Sequence, residues 1–587
     1  FTDIHTGRVS AKGVLAGLLA PYTRMLRARQ TRYNLQVADL AGMKRQNSID
    51  KALNSFRFIG TDGLSYGLYE KQIEDIGLIA QKPQGGILNW SQGSGKTPAC
   101  FALYQLLGKN YRNTVLLAPP IAHTMTWIPF LTRQGASFRE VRTIEDIAQI
   151  QPGELLLTPT SLSKKLARQM RTYMRTIGYR ALVIFDESDE ISNNHSGRSV
   201  AIRHTFRKCP TKFLATGTVT RNNLSELYPQ LDLLFNGSAA FEDRCPIVFR
   251  EERSKEDGLR IRSIDNKFRG TPFAGRNGFS RFKSCFSPSR STVFGIGKQT
   301  QDIYNPSHLE VLLGCTVLTR KFREMAGPDR FEIHTHTVSQ PDWEREFYAK
   351  ILTEFSSLIP AYFRSTGSGR KDSMLRLVRQ LRLLIKSCSV PHLLTGRTDL
   401  PEKAVKITDM VRGRGEKRVM VGATSKKAAR FYHRHLSDSF PGRPIFLVMG
   451  DVEFTERKSI IAQFEKTDNG ILVCTQQSLS SSVDIPFLDE VILESLQFNL
   501  ARMEQFYFRA IRFNSRAKVN VHFVIYQDSI EVNLMTLLLD KERLNDFIKT
   551  RQLRSIDQVM GDFKLDSAFL DMLLEKSMEE GKTVVKW

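Results

Sequence analysis

The sequence predicts an α/β fold laid out as two tandem lobes. Three observations carry that expectation. Short apolar runs alternate with helical patterns across residues 56–236, and the same alternation resumes near 415. A glycine-rich turn, Ser91-Gln92-Gly93-Ser94-Gly95-Lys96-Thr97, stands between the apolar run Gly86-Ile87-Leu88 and a helix-like stretch, Ala99 to Tyr104. At 587 residues the chain is also too long for one core.

Composition narrows the classes further. Hydrophobic residues at 41% and charged residues at 25% are ordinary for a globular protein, and no run of 18 apolar residues predicts a membrane span. Seven scattered cysteines, with no C-x-x-C pair, point to an intracellular, reducing compartment (cytoplasm or nucleus). They argue against a disulfide framework or a structural zinc. The first residue is Phe1 rather than Met, which leaves targeting segments open. A formal charge of +24 predicts attraction to a polyanion, most simply nucleic acid.

In chain order, residues 1–55 form a basic helical segment with Arg24, Arg27, Arg29, Arg32, Lys44 and Arg45, suited to phosphate contacts or to covering the first lobe. The first lobe spans 56–236. Its glycine-rich turn has the strand–turn–helix setting of a phosphate-binding loop, in which backbone N–H groups and a helix N-terminus face an anion. Gly93 and Gly95 permit the bend, Ser94 lies between them, Lys96 reaches the β- and γ-phosphates, and Thr97 offers its hydroxyl to Mg²⁺. Buried strands follow at Val115 to Pro119, Leu155 to Thr158 and Ala181 to Phe185. The last ends in Asp186-Glu187-Ser188-Asp189, which suits Asp186 for holding the metal and Glu187 for orienting the attacking water. Phe213 to Thr218 is a further strand and turn.

Residues 237–414 read as an insertion and helical linker. Arg276, Arg281, Lys283, Arg290 and Lys298 interleave there with Phe273, Phe279, Phe282 and Phe286. That mix suits base stacking with phosphate contacts, and equally a small insertion with its own core. The second lobe, 415–527, shows strands at 418–421, 446–449, 470–475 and 490–493. A helix from about Asn499 carries Gln505, Arg509 and Arg512, and i, i+3 spacing predicts both arginines on one face, built for a phosphate. Residues 528–587 read as a C-terminal helical segment.

With these residues in place, the chain resembles the superfamily 2 helicase-like ATPases, and within them the SNF2-like branch of DNA translocases, from about Leu68 to Phe547. Leu68-Tyr69-Glu70-Lys71-Gln72 is similar to the family's adenine-contacting segment, Gly86 to Thr97 to motif I, Leu117-Ala118-Pro119 with Trp127 to motif Ia, and Asp186 to Asp189 to motif II. Thr216 to Leu227 resembles the branch's T-G-T-P-x-x-N-x-x-x-E-L segment, and Gln505, Arg509 and Arg512 fit the Q-x-x-x-R-x-x-R of motif VI. Asn305 to Leu309, leading to Leu318-Thr319-Arg320-Lys321, is most similar to annealing-helicase-like members.

The resemblance implies two RecA-like lobes with ATP and Mg²⁺ between them. Gln72 would contact adenine, Asp484 would face the ribose, and Arg509 and Arg512 would act as arginine fingers. It implies translocation on duplex DNA. Trp90, Gln92, Asp189, Val219 and the glycine-poor Thr475 to Ile485 depart from the branch's pattern. An RNA-directed helicase, or a nucleic-acid-binding scaffold with weakened turnover, are the other readings of those departures.

Overall fold

The computed structural model describes residues 14–220, 224–236, 242–254, 258–273, 277–288, 303–322, 324, 330–364, 367–479, 485–497, 500–512, 515, 517–536, 538–539 and 548. Among the described residues no helix is long and apolar enough to cross a membrane. The basic helix α1 (Val14–Val37) opens the chain. Its last carbonyls, at Leu35 and Gln36, and that of Ala38 accept hydrogen bonds of 2.7, 2.9 and 2.7 Å from the buried Lys82 ammonium. One buried lysine thus caps α1 and fastens it to the first lobe. Burial lowers that lysine's pKa to about 8.

Helix α2 (Glu70–Ile79) leads into β1 (Gly85–Trp90), and α3 (Lys96–Leu107) follows. The first sheet continues through β2 (Asn113–Ala118), β3 (Phe138–Glu140) and β4 (Leu155–Pro159). Helix α4 (Ser163–Thr176), β5 (Ala181–Asp186), α5 (Gly197–Phe206) and β6 (Thr211–Thr216) come next. An antiparallel hairpin, β7 (Ile247–Ser254) with β8 (Gly258–Asp265), and helix α6 (Gly278–Phe286) form the insertion. The chain then returns as β9 (Val317–Arg320).

All seven strands of this sheet run parallel, in the order β9-β1-β6-β5-β2-β4-β3. The pleat sends Ile87 and Leu88 of β1 into separate cores on the two faces. Burial on both sides is why these strands read as unbroken apolar runs. The edge strand β9 falls within the span read from sequence as insertion, and it is too short and polar to announce itself.

The second sheet is built from β10 (Phe331–Val338), β11 (Val419–Ala423), β12 (Ile445–Val448), β13 (Ile471–Thr475), β14 (Glu490–Leu493) and β15 (Val519–Tyr526). Its order is β10-β15-β14-β11-β13-β12, again all parallel. Two long helices, α7 (Asp342–Arg364) and α8 (Gly367–Ser387), pack as a pair between β10 and β11. Helix α9 (Leu500–Tyr507) lies on the sheet, where Phe506 is so close to Gly422 that a Cβ there would stand 2.5 Å from its ring. The α/β fold class with two tandem RecA-like lobes and helices flanking their sheets is borne out; most of the C-terminal helical segment read at 528–587 lies outside the described residues.

Three of the insertion's phenylalanines pack rather than project. Phe273, Phe282 and Phe286 are buried, and Tyr228 of the first lobe donates to the Phe273 carbonyl at 3.0 Å. Arg281 braces the same turn by donating to Pro272 and Thr271 carbonyls. That favours a small core over base stacking; Arg276, Arg290 and Lys298 lie outside the described residues.

Candidate functional site

The glycine-rich turn leaves β1 at Trp90 and enters α3 at Lys96, with Gly93 and Gly95 both at φ +76°. Space as well as conformation demands glycine. A Cβ on Gly95 would lie 2.5 Å from Gln72 Nε2, and one on Gly93 would lie 2.7 Å from Arg512 Nη1. Lys96 is buried, and its ammonium donates to the carbonyls of Trp90 at 3.2 Å and Ser91 at 3.4 Å. Thr97 is half-buried on the first turn of α3. Gln72 uses both ends of its amide: the Tyr69 N–H donates to Oε1 at 2.9 Å, and Nε2 donates to the Ser94 carbonyl at 2.8 Å. It therefore fixes the turn directly, whatever else it touches.

At the end of β5, Asp186 is buried and accepts from the Trp127 indole N–H at 2.8 Å and from the Glu187 N–H at 3.1 Å. Burial, then the charge of Glu187, raises its pKa to about 6, against the Trp127 hydrogen bond and Lys96. Trp127 ends a single π-helical turn, His123–Trp127. Glu187 takes a left-handed conformation, φ 53° and ψ 55°, which costs a non-glycine residue about 1–3 kcal/mol. Its Oε1 accepts from Gln92 Nε2 at 3.4 Å, and its buried Oε2 has no hydrogen-bond partner.

Two links tie this centre to the sheet around it. Ser188 Oγ donates to Gln230 Oε1 at 2.8 Å, and Gln230 Nε2 donates to the Val219 carbonyl at 2.8 Å. The buried Gln230 therefore joins the acidic tetrad to the turn after β6. At the base of the glycine-rich turn, buried Asp75 accepts from Trp90 Nε1 at 2.8 Å and pairs with Arg320, whose Nη2 stands 2.6 Å away. The Arg320 carbonyl in turn accepts from the Ser91 N–H at 3.1 Å. Trp90, a departure from the family's pattern, is thus one arm of a latch between α2, β1 and β9.

The second lobe reaches this centre through Arg512, which lies against Gly93 together with the Ile511 carbonyl, 3.1 Å from where a Gly93 Cβ would be. The expectation that Arg509 and Arg512 share a helical face is corrected: α9 ends at Tyr507, so Arg509 sits on a turn and Arg512 lies outside any helix or strand. One long-range and two local hydrogen bonds take over the backbone there. The Arg509 carbonyl accepts from the Ile485 N–H at 2.8 Å, the Ala510 carbonyl from Ser515 Oγ at 2.8 Å, and the Arg512 N–H donates to Ser515 Oγ at 2.8 Å. Gln505 is half-buried on α9. Asp484, Asn499 and 221–223 lie outside the described residues.

The structure therefore gathers Gln72, Gly93, Ser94, Gly95, Lys96, Asp186, Glu187 and Arg512 into one centre. Sequence reasoning passed over three supports: Trp127 on Asp186, the Asp75–Arg320 pair, and Gln230. Trp90 and Arg320 were visible as motif residues without their partner, whereas Gln230 carries no local signal. The centre fits a magnesium–triphosphate group by its glycine cradle, its buried lysine and the orphaned Glu187 oxygen.

Residues 402–514 match the family model described as the helicase conserved C-terminal domain. None of the curated proteins compared matches the chain. Among solved structures, the chain is similar to the Sulfolobus solfataricus SWI2/SNF2 ATPase core in complex with dsDNA, at 16% identity and a TM-score of 0.35, over 85% of this chain and 98% of that one. It is also similar to the Sulfolobus solfataricus SWI2/SNF2 ATPase core domain, at 17% identity and a TM-score of 0.34, over 85% and 95% of the two chains. The superfamily resemblance read from the motifs is borne out in the second lobe, where residues 402–514 match the helicase conserved C-terminal domain.

Proposed function

We propose that the chain is an ATP-dependent motor, stimulated by nucleic acid, that hydrolyses ATP between its lobes and translocates along duplex DNA. The observation that carries this reading is the contact of Arg512, from the second lobe, with Gly93 in the turn that opens α3. A guanidinium delivered across a cleft to a phosphate-binding turn is suited to stabilising charge on a transferring phosphoryl, and such a residue contributes about 10³–10⁵ in rate.

Bound ATP with Mg²⁺ supplies the electrophilic phosphorus and the cation that screens its oxygens. Gly93, Ser94 and Gly95 cradle the phosphates with backbone N–H groups, and Lys96 binds them by charge. Thr97 and Asp186 would hold the metal, with Trp127 fixing the carboxylate's direction. Glu187 Oε2 orients the attacking water and accepts its proton. Arg509 and Asp484 are expected partners from the motif pattern, toward the phosphoryl and the ribose. The seven buried cysteines, none of them in a disulfide, support a reducing, intracellular setting.

The test is phosphate release by the whole chain without nucleic acid, with duplex DNA, with single-stranded DNA and with RNA. Strongest stimulation by duplex DNA is expected. Stimulation by RNA alone would replace the substrate. ATP binding without release on any nucleic acid would leave a binding scaffold.

A further inference from the structure

The flank of the first lobe carries positive charge that the nucleotide centre does not use. Helices α1, α4 and α5 hold four, five and two Lys or Arg residues and no Asp or Glu. On α4 the apolar positions Leu166, Met170 and Met174 are buried against the lobe. That turns Lys164, Lys165, Arg168 and Arg175 outward as exposed side chains. Lys165, Arg168 and Arg175 recur at the spacing of one helical stripe, about 15 Å from first to last.

Helix α5 packs beside α4 and continues the field. Arg171 of α4, Arg203 of α5 and Arg207 just past its end all act on His204, which burial and these charges hold below its usual pKa. Lys208 follows two residues past α5, exposed, with its ammonium over the Tyr179 ring at 5.5 Å. The acids near this flank are few. Asp232 is taken by Arg203 at 2.9 Å and Glu190 by Arg198, and Glu145 acts on Lys165 from a distance. Among the described residues none of Lys164, Lys165, Arg168, Arg171, Arg175, Arg207 and Lys208 forms an ion pair.

We infer that the α4–α5 flank is a second nucleic-acid contact, which grips the phosphate backbone of duplex DNA alongside the lobe, away from the cleft. The inference deepens the proposed function and rests on its nucleic-acid partner. Helix α4 begins where β4 ends, at the carboxyl side of the sheet, and runs back down the flank toward the strands' amino ends. The stripe therefore extends a path past the mouth of the cleft. Arginines supply most of it, and their planar forks match phosphate oxygens. No large apolar side chain is exposed on α4 or α5, whereas a membrane-seeking helix needs an apolar face to bury in lipid.

The experiment compares the parent with K165Q/R168Q/R175Q in the full chain. All three side chains are exposed, so folding should be retained and is checked by Tm. Affinity for a 30-base-pair duplex is measured across salt. Loss of three phosphate contacts should flatten the slope of log affinity against log salt by about 2–3 units, at about 0.9 per phosphate. ATP hydrolysis without DNA should stay at the parent rate. Parent affinity and slope in a folded variant would overturn the inference. So would an unchanged duplex affinity accompanied by lost binding to vesicles containing phosphatidylserine. The two readings fail separately. If duplex DNA stimulates the parent's hydrolysis yet the variant binds like the parent, the motor stands and the flank falls. If the variant loses duplex binding while no nucleic acid stimulates the parent, the flank stands and the motor falls.

Discussion

Lys96 and Glu187 both meet the Gln92 amide but make different kinds of contact, and their variants should separate. Lys96 is a buried charge facing the turn, so Lys96→Ala should weaken ATP binding as well as stop turnover. Glu187→Gln removes the base and keeps the shape, so it should bind ATP at near-parent affinity while hydrolysis is lost. Parent turnover in Glu187→Gln would sink the role assigned to the unpartnered Oε2. Arg512 offers the sharper case, because its contact crosses from one lobe to the other. Arg512→Ala should lower hydrolysis about a thousandfold or more with ATP affinity changed far less. Arg512→Lys should recover little, since an ammonium lacks the planar fork. Near-parent hydrolysis in Arg512→Ala would remove the cross-lobe mechanism. The left-handed Glu187 and the covered Gln72 amide could not be foreseen, because both depend on neighbours distant in sequence.

Elements were legible wherever burial on both faces wrote a continuous apolar run. The strands at Ala181–Asp186 and Glu490–Leu493 were readable for that reason. Phe138–Glu140 and Val317–Arg320 were not, being short edge strands with one side open. Phe331–Val338 carries the polar run His334-Thr335-His336-Thr337 and hid inside a stretch assigned to the linker. Helix α9 was read too long, since spacing alone cannot register the hydrogen bond from the Ile485 N–H that captures the backbone at Arg509. The latch at β9 gives an element-scale prediction. Arg320→Leu strands Asp75, which is 0% exposed, without its cation. The loss should cost about 3–5 kcal/mol, and adding Asp75→Asn should recover part of it. Urea unfolding of the single and double variants checks this, and additive losses would show that the pair is not coupled.

Across the whole molecule, acid should act first on the amino-terminal side of the second sheet. His336 Nε2 meets His522 Nδ1 at 3.0 Å, and His522 Nε2 meets Glu490 Oε2 at 2.7 Å. Burial, with His522, Lys406, His334 and Arg414 nearby, lowers the His336 pKa to about 4. Burial pushes Glu490 the other way, but hydrogen bonds from His522, Lys417 and Asn520 outweigh it and leave a pKa of about 2. Between about pH 6.5 and 4 the unfolded chain binds a proton at residue 336 that the folded chain resists, so stability falls as pH drops through that window. Glu490 adds a further loss between about 4.5 and 2, where its charged form is what the fold favours. His336→Gln should flatten the upper limb by about 1–2 kcal/mol, allowing for the group's partial exposure. An unchanged dependence of Tm on pH between 7.5 and 4 would refute it. Finally, β9 closes the first sheet beside β1 although 100 residues separate β6 from it, from Thr216 to Val317. During synthesis at about 5–20 residues per second, the strand that carries the phosphate-binding turn waits roughly 5–20 s as an open edge. A ribosome stalled before residue 317 should therefore present a first lobe that recruits chaperones and is cut by protease at the turn, whereas one stalled well past 320 should not.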